Sequence, residues 1–229
     1  MTGRLHPGIA PVRLFRALDL LVAGLALVVF APLMLAVALA VRLDGGPALF
    51  MQLRMGQGEG PFRMYKFRTM REGKKGPEIT LLDDSRVTRV GRFLRITSLD
   101  ELPQLFNIIR GDMTLVGARP ETLSLASRYP PEARAVFQYR PGLTGPTQLH
   151  LRDLEAGSSQ VEDVEGYYLS ELVPKRVALD LEYLSDPNLR RWSVVLIETV
   201  AHVARRPLSL WRHRVLPGTG SSGPLKNRA

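Results

Sequence analysis

The chain has 229 residues, enough for one sizeable domain with an appendage, and its net charge of +9 calls for anionic partners such as phospholipid head groups, nucleotides or nucleic acid. It contains no cysteine, which excludes a disulfide framework, a thiolate zinc site and a cysteine nucleophile. His6, His150, His202 and His213 lie far apart in sequence, and no phosphate-binding glycine loop is present.

The first element is apolar. From Leu20 to Val41 there are 22 consecutive residues without a charge, flanked by Arg13, Arg16 and Asp19 before and by Arg42 and Asp44 after. As a helix this is roughly 33 Å long, enough to cross a hydrocarbon core of ~30 Å. Three readings compete. Ala36-Val37-Ala38 and Ala38-Leu39-Ala40 resemble signal-peptidase sites, but the run exceeds an h-region of ~7 to 15 residues. A straight span suits the length, yet basic residues lie on both sides, with Arg4, Arg13 and Arg16 before and Arg42, Arg54, Arg63, Lys66 and Arg68 after. Pro32 divides the run into legs of 12 and 9 residues. Legs of roughly 18 and 14 Å reach only mid-bilayer, so a helix-break-helix hairpin entering and leaving by one face satisfies both the proline and the charges.

Ala48 to Met55 and Pro61 to Met70 flank Gly56, Gly58 and Gly60 and predict a short β-hairpin. Strand alternation in the second arm points Lys66 and Arg68 the same way, an arrangement that a solvated strand face also produces. Glu72 to Asp84 reads as a loop. Ser85 to Ile96 predicts a helix capped by Ser85 or Thr88 that buries Val90, Phe93 and Leu94.

The segment Thr97-Ser98-Leu99-Asp100-Glu101-Leu102-Pro103-Gln104-Leu105 carries two adjacent carboxylates with arginines on both sides. Ser98 and Glu101 have capping-box spacing, which needs no catalysis to explain it. Pro103 fits a first helical turn and so places a helix start at or just before Asp100. There the macrodipole favours an anion, giving a low pKa and an ionised Asp100 able to serve as nucleophile or magnesium ligand. Glu101 is a second ligand, a general base or the capping partner. Leu102, Leu105, Phe106 and Ile109 predict the buried stripe of this helix, which Gly111 ends.

Met113 to Gly117 reads as a short buried strand. Arg119 is held extended by Pro120, which suits a fixed guanidinium for bidentate phosphate binding as well as an ordinary surface arginine. Pro131 to Tyr139 predicts a short helix and Arg140 to Pro146 a rigid turn. Glu162 to Leu172 is amphipathic and stops before Pro174, where a helix carrying Arg176, Asp180 and Tyr183 begins. Asn188 to Arg205 forms a last helix, with Trp192, Val195, Leu196, Thr199 and Val200 on one side as core or as a membrane-surface face.

Taken together, the chain resembles the monotopic polyprenyl-phosphate phosphoglycosyl transferases among the bacterial sugar transferases. The resemblance rests on Arg16-x-x-Asp19, the Pro32-interrupted apolar run, Gly46-Pro47, Gln52-x-Arg54-x-Gly56, Lys66 to Met70, Thr97 to Leu105, Asn107, Gly111 to Met113, Leu115 to Gly117, Arg119-Pro120 and Arg140 to Gly145. It implies an α+β, mostly helical fold with a re-entrant hairpin broken at Pro32 (residues 1–45), a cytoplasmic catalytic domain (46–206) with a short β-hairpin and amphipathic helices, and a flexible tail (207–229). The implied reaction moves a sugar-1-phosphate from a UDP-sugar to a membrane polyprenyl phosphate and releases UMP, as the first membrane step of a surface glycoconjugate or exopolysaccharide pathway. Asp100 is implied as the covalent nucleophile and Mg²⁺ ligand with Glu101 assisting, and Lys66, Arg68, Arg95, Arg119, Pro120, Arg140 and Asp180 as substrate-binding. The implied setting is the cytoplasmic face of a bacterial inner membrane, among phospholipid, with no nucleic acid and with room for a homodimer. Ala31 before Pro32, Ala118 before Arg119 and the segment Pro146 to Arg152 depart from the family pattern, the last bearing on donor choice. A membrane-tethered basic module that binds anionic lipid or polymer without catalysis is the competing class; it needs the arginines but neither carboxylate.

Overall fold

The computed structural model describes residues 9–71, 73, 84–150 and 163–215; the loop expected at 72–84 lies mostly outside the described residues, as do 151–162 and 216–229. Leucine, alanine and valine carry helix α1 from Ile9 to Leu43. Among the described residues it is the one helix long and apolar enough to cross a membrane. The expected break does not divide it, because α1 continues through Pro32; the proline removes one amide donor, a loss that a long helix absorbs locally.

Both parts of α1 pack on the rest of the chain. Phe15, Leu18, Ala23 and Leu27 join the main core, while Met34, Val37, Ala38 and Val41 pack with Phe67 and Leu94. Between them Val28 and Val29 are exposed. The first part is also fixed by polar side chains. Arg16 donates to the Ile108 and Ile109 carbonyls at 2.7 and 3.1 Å, and Asp19, 2% exposed, accepts from Thr114 Oγ1 at 2.6 Å and from the Leu115 amide at 3.0 Å.

Strands β1 (Leu49–Met55) and β2 (Pro61–Phe67) form the predicted antiparallel hairpin. Helix α2 (Arg89–Thr97) is capped by Thr88, whose hydroxyl accepts from the Gly91 amide. Gly91 is required by close approach, since a Cβ there would lie 2.0 Å from the Thr69 carbonyl oxygen. Leu94 is buried as expected, but Phe93 is 58% exposed.

A 3₁₀ turn (Leu99–Glu101) precedes helix α3 (Gln104–Arg110), so the α-helix begins after Asp100 rather than at it. The change from 3.0 to 3.6 residues per turn shifts the phase of the apolar stripe. Leu105 and Ile108 are buried, while Phe106 and Ile109 of the predicted stripe are largely exposed. Asn107, fully buried, ties α3 to β2: its Oδ1 accepts from the Tyr65 amide at 3.0 Å and its Nδ2 donates to the Arg63 carbonyl at 2.7 Å.

Strand β3 (Thr114–Val116) pairs in parallel with β4 (Gly142–Thr144), so the expected turn at 140–146 contains a strand. Gly142 permits this, because a Cβ there would lie 2.1 Å from the Gly117 amide nitrogen. Between the strands come α4 (Leu123–Ser127) and a 3₁₀ helix at Ala133–Gln138, and α5 (Pro146–His150) follows β4. Helix α6 (Val164–Tyr167), a π turn (Tyr168–Leu172) and α7 (Val173–Ser185) then run head to tail. The expected stop before Pro174 does not occur, because the π turn shifts the hydrogen-bond ladder where the proline has no amide hydrogen to give. Helix α8 (Leu189–Val215) buries Trp192 and Val195 in the core but leaves Val200 exposed, and it extends beyond the expected end at Arg205.

Candidate active site

Asp100 is held in the 3₁₀ turn, 7% exposed, between the end of α2 and the start of α3. Ser98 does not cap this turn. It takes a left-handed backbone (φ 58°) at the end of α2, and its buried hydroxyl has no hydrogen-bond partner among the described residues. Glu101 is thus released from the expected capping box, and its Oε1 lies 3.1 Å from Lys66 Nζ and 3.6 Å from Arg119 Nη1.

Each cation arrives on a different element. Asn107 holds β2 against α3 and so sets Lys66 beside Glu101. Arg119 comes from the loop after β3. Arg95, on the last turn of α2, is oriented by the hydrogen bond its Nε donates to Thr69 Oγ1 at 2.9 Å. Burial pushes the Asp100 carboxyl up to about 6 and the neighbouring Glu101 adds to the rise, while the fields of Lys66, Arg95 and Arg119 oppose it. A low pKa from the helix dipole is therefore not found: Asp100 precedes α3 and is desolvated, and desolvation disfavours its anion more than the cations favour it. Burial pushes the Lys66 ammonium down, and Glu101 pulls it back up.

Other expected residues lie elsewhere. Arg68 follows the end of β2, where strand alternation no longer governs direction. Its buried guanidinium donates to the carbonyls of Val41, Pro47 and Met70 at 2.9 to 3.1 Å, fastening the end of α1 to the hairpin. Arg140 lies in the fields of Arg16, Asp19 and Asp112 rather than among the residues around Asp100. Asp180, 4% exposed, accepts from Thr147 Oγ1 at 2.6 Å and so holds α5 on α7. Its carboxyl is pushed up to about 6 by burial, against the pull of Thr147 and Arg176.

Beside Glu101 opens a crevice lined by Lys66, Arg119, Pro120, Arg54, Gln104 and the β4 residues Gly142 and Leu143. By sequence Arg54 is a basic flank of the apolar run and part of Gln52-x-Arg54-x-Gly56, and Gln104 is a neighbour of the carboxylate pair; neither position points by itself to the crevice. Hairpin register carries the missing signal: Phe50 pairs with Lys66 and Arg54 with Phe62, so Arg54 and Lys66 share one face.

A family model described as bacterial sugar transferase matches residues 12–206, from within α1 to within α8. The chain belongs to the bacterial sugar transferase family. The chain is 44% identical over 191 residues to a Caulobacter vibrioides protein named UDP-glucose:undecaprenyl-phosphate glucose-1-phosphate transferase, covering 81% of this chain and 67% of that protein. It is 35% identical over 204 residues to an Aeromonas hydrophila UDP-N-acetylgalactosamine-undecaprenyl-phosphate N-acetylgalactosaminephosphotransferase (85% and 44%), and 36% identical over 185 residues to an Escherichia coli UDP-glucose:undecaprenyl-phosphate glucose-1-phosphate transferase (78% and 36%). The chain thus spans between about a third and two thirds of the length of these relatives.

No cluster of three or more metal-ligating side chains occurs among the described residues. That donor set still fits magnesium delivered with a nucleotide diphosphate, because Mg²⁺ commonly takes one or two carboxylates plus substrate phosphate oxygens. Asp100 is the carboxylate that would hold it, since Glu101 is engaged by Lys66 and Arg119.

Proposed function

We propose that this sugar transferase moves a sugar-1-phosphate from a UDP-sugar to a polyprenyl phosphate through a covalent intermediate on Asp100. The observation that carries this reading is a buried carboxylate in the combined field of Lys66, Arg95 and Arg119. A diphosphate is polyanionic, so a carboxylate can approach its phosphorus only where cations offset the repulsion.

In the first step an Asp100 oxygen forms a bond to the phosphorus that bears the sugar. The bond from that phosphorus to the bridging oxygen breaks, and UMP leaves with that oxygen. In the second step an oxygen of the polyprenyl phosphate attacks the same phosphorus, and Asp100 departs as a carboxylate. Lys66 and Arg119 bind the charge that shifts onto the leaving phosphate, and Glu101 holds both cations in place. Mg²⁺, when bound, supplies further neutralisation of the phosphate oxygens. Because Asp100 takes the phosphosugar from the donor and then gives it up to the acceptor at the same place, UMP leaves before the lipid phosphate attacks.

The proposed membrane setting is supported by α1. Its two parts pack on the same body of chain while Val28 and Val29 between them stay exposed. That pattern supports a re-entrant helix that dips into the membrane from the cytoplasmic side, where UDP-sugars are found, and returns. The product lipid-linked sugar would open a surface glycoconjugate or exopolysaccharide pathway.

The deciding experiment supplies purified protein with Mg²⁺ and a panel of UDP-sugars, without lipid. Release of one equivalent of UMP together with a phosphosugar adduct on Asp100, both absent in Asp100→Asn, is the expected result. UMP release that requires polyprenyl phosphate, or an active Asn variant, overturns the covalent route.

A further inference from the structure

Behind the crevice lies a buried polar cluster that the proposed reaction does not use. Glu121, 6% exposed, follows the Arg119-Pro120 wall directly. Its Oε2 accepts from the Tyr129 hydroxyl at 3.0 Å and from the Tyr168 hydroxyl, and Arg176 lies 3.8 Å from the same oxygen while donating to Tyr168. Burial pushes both phenols well above their ordinary range, so they stay neutral and act as donors. The other oxygen, Oε1, faces Arg54 Nη1 at 3.7 Å.

Arg54 is the only member of this cluster that also lines the crevice. Its Nη1 donates to the Pro120 carbonyl at 3.3 Å and its Nη2 to Gln52 Oε1 at 2.8 Å. The Met55 amide donates to the Glu121 carbonyl at 2.8 Å, which straps the 120–122 segment to β1. A buried carboxylate is costly unless fully paired and hydrogen-bonded, and here two hydroxyls and two guanidiniums meet that need. The result is a guanidinium with little freedom, aimed along the hairpin face that carries Lys66. Lys66, Arg119 and Arg54 therefore converge on one crevice from three fixed supports. Bringing like charges together is unfavourable on its own and becomes favourable when an anion with several oxygens sits between them.

We propose that Arg54 is a third donor-binding cation that grips the diphosphate of the nucleotide sugar beside Lys66 and Arg119, and that Glu121 is the positioning residue that aims it. This rests on the reading that the donor is a nucleotide diphosphate sugar. Arg54 offers the planar fork that matches phosphate oxygens, whereas Lys66 offers a point charge.

The test is steady-state kinetics of the full chain in detergent, with the UDP-sugar that the wild type uses and with polyprenyl phosphate. Arg54→Gln should raise the donor KM roughly 10- to 100-fold, the loss expected for one charge-assisted contact. The acceptor KM should stay within about twofold, because a donor-specific contact does not act on lipid affinity. Glu121→Gln should raise the donor KM in the same sense, and Arg54→Lys should recover only part of the loss. Thermal unfolding of each variant reports its folding; should Glu121→Gln fail to fold, Arg54→Gln and Arg54→Lys carry the test alone. A donor KM unchanged in Arg54→Gln, or donor and acceptor KM raised equally, overturns the proposal while leaving the covalent route untouched. If the wild type uses no UDP-sugar, the functional reading itself falls, and titration of inorganic pyrophosphate decides the cation site. Weaker pyrophosphate binding by Arg54→Gln than by wild type then supports the site, and equal binding overturns it.

Discussion

Asp19 Oδ2 accepts a hydrogen bond of 2.6 Å from Thr114 Oγ1, so a carboxylate carried by the apolar helix is buried against the strand that leads to Arg119. The Leu115 amide donates to the other oxygen of the same carboxylate. Asp19→Leu leaves the buried Leu115 amide unsatisfied, at a cost of about 1 to 3 kcal/mol, and takes the acceptor from the part-buried Thr114 hydroxyl as well. A clear drop in thermal midpoint of the detergent-solubilised protein is expected. Asp19→Asn, which keeps an acceptor oxygen, should fall by much less. Equal midpoints for Asp19→Leu and wild type would show that this joint carries no stability.

Arg68 provides a second joint. Its three hydrogen bonds to the carbonyls of Val41, Pro47 and Met70 occupy the guanidinium at the far end of α1. Arg68→Met should therefore lower stability by several kcal/mol, as loss of a buried charged donor leaves carbonyls unsatisfied. Donor KM in the folded fraction should remain near the wild-type value. A large rise in donor KM with unchanged stability would instead make Arg68 a substrate ligand.

Asp100 sets function against stability. Its carboxyl holds a proton more tightly when folded, with a pKa of about 6, than at the ordinary value of 3.8. Between those values the folded state binds more protons, so stability is greatest at low pH and is lost as pH rises through about 6. At pH 7.5 without metal, Asp100→Asn removes this penalty and should stabilise the fold by on the order of 3 kcal/mol. The advantage should shrink as the pH is lowered towards 4, and the variant should release no UMP. Chemical denaturation across pH measures the first effect. A variant less stable than wild type at pH 7.5 would contradict the burial argument.

The membrane course proposed for α1 is open to labelling because the chain has no native cysteine. Single cysteines at Thr2 and Gly73 should react with an impermeant reagent from the same side. Pro32→Leu should shift the protein towards a spanning arrangement, since it restores the amide donor that α1 lacks at the point where a re-entrant course has to turn. Reaction of the two positions from opposite sides in the wild type would exclude the re-entrant course.

Local sequence determined the apolar helix, the hairpin, a helix cap at Ser85 or Thr88, the β3 strand and the adjacency of Asp100 and Glu101. These depend on periodicity, on glycine and proline, and on chain neighbours, all of which act within a few residues. The roles of the polar side chains were decided by tertiary structure. Ser98 and Glu101 have capping-box spacing, yet Glu101 turns to Lys66 and Arg119 because Asn107 docks β2 on α3. Lys66 and Arg68 look equivalent two residues apart, yet one faces Glu101 and the other closes the end of α1, because β2 ends between them at Phe67. Arg54 joins the crevice only through hairpin register, which spacing does not specify. Asp100, expected to be acidic at a helix start, is made a weaker acid by burial. Desolvation depends on how much of the chain packs around a group, and that quantity exists only once the chain has folded.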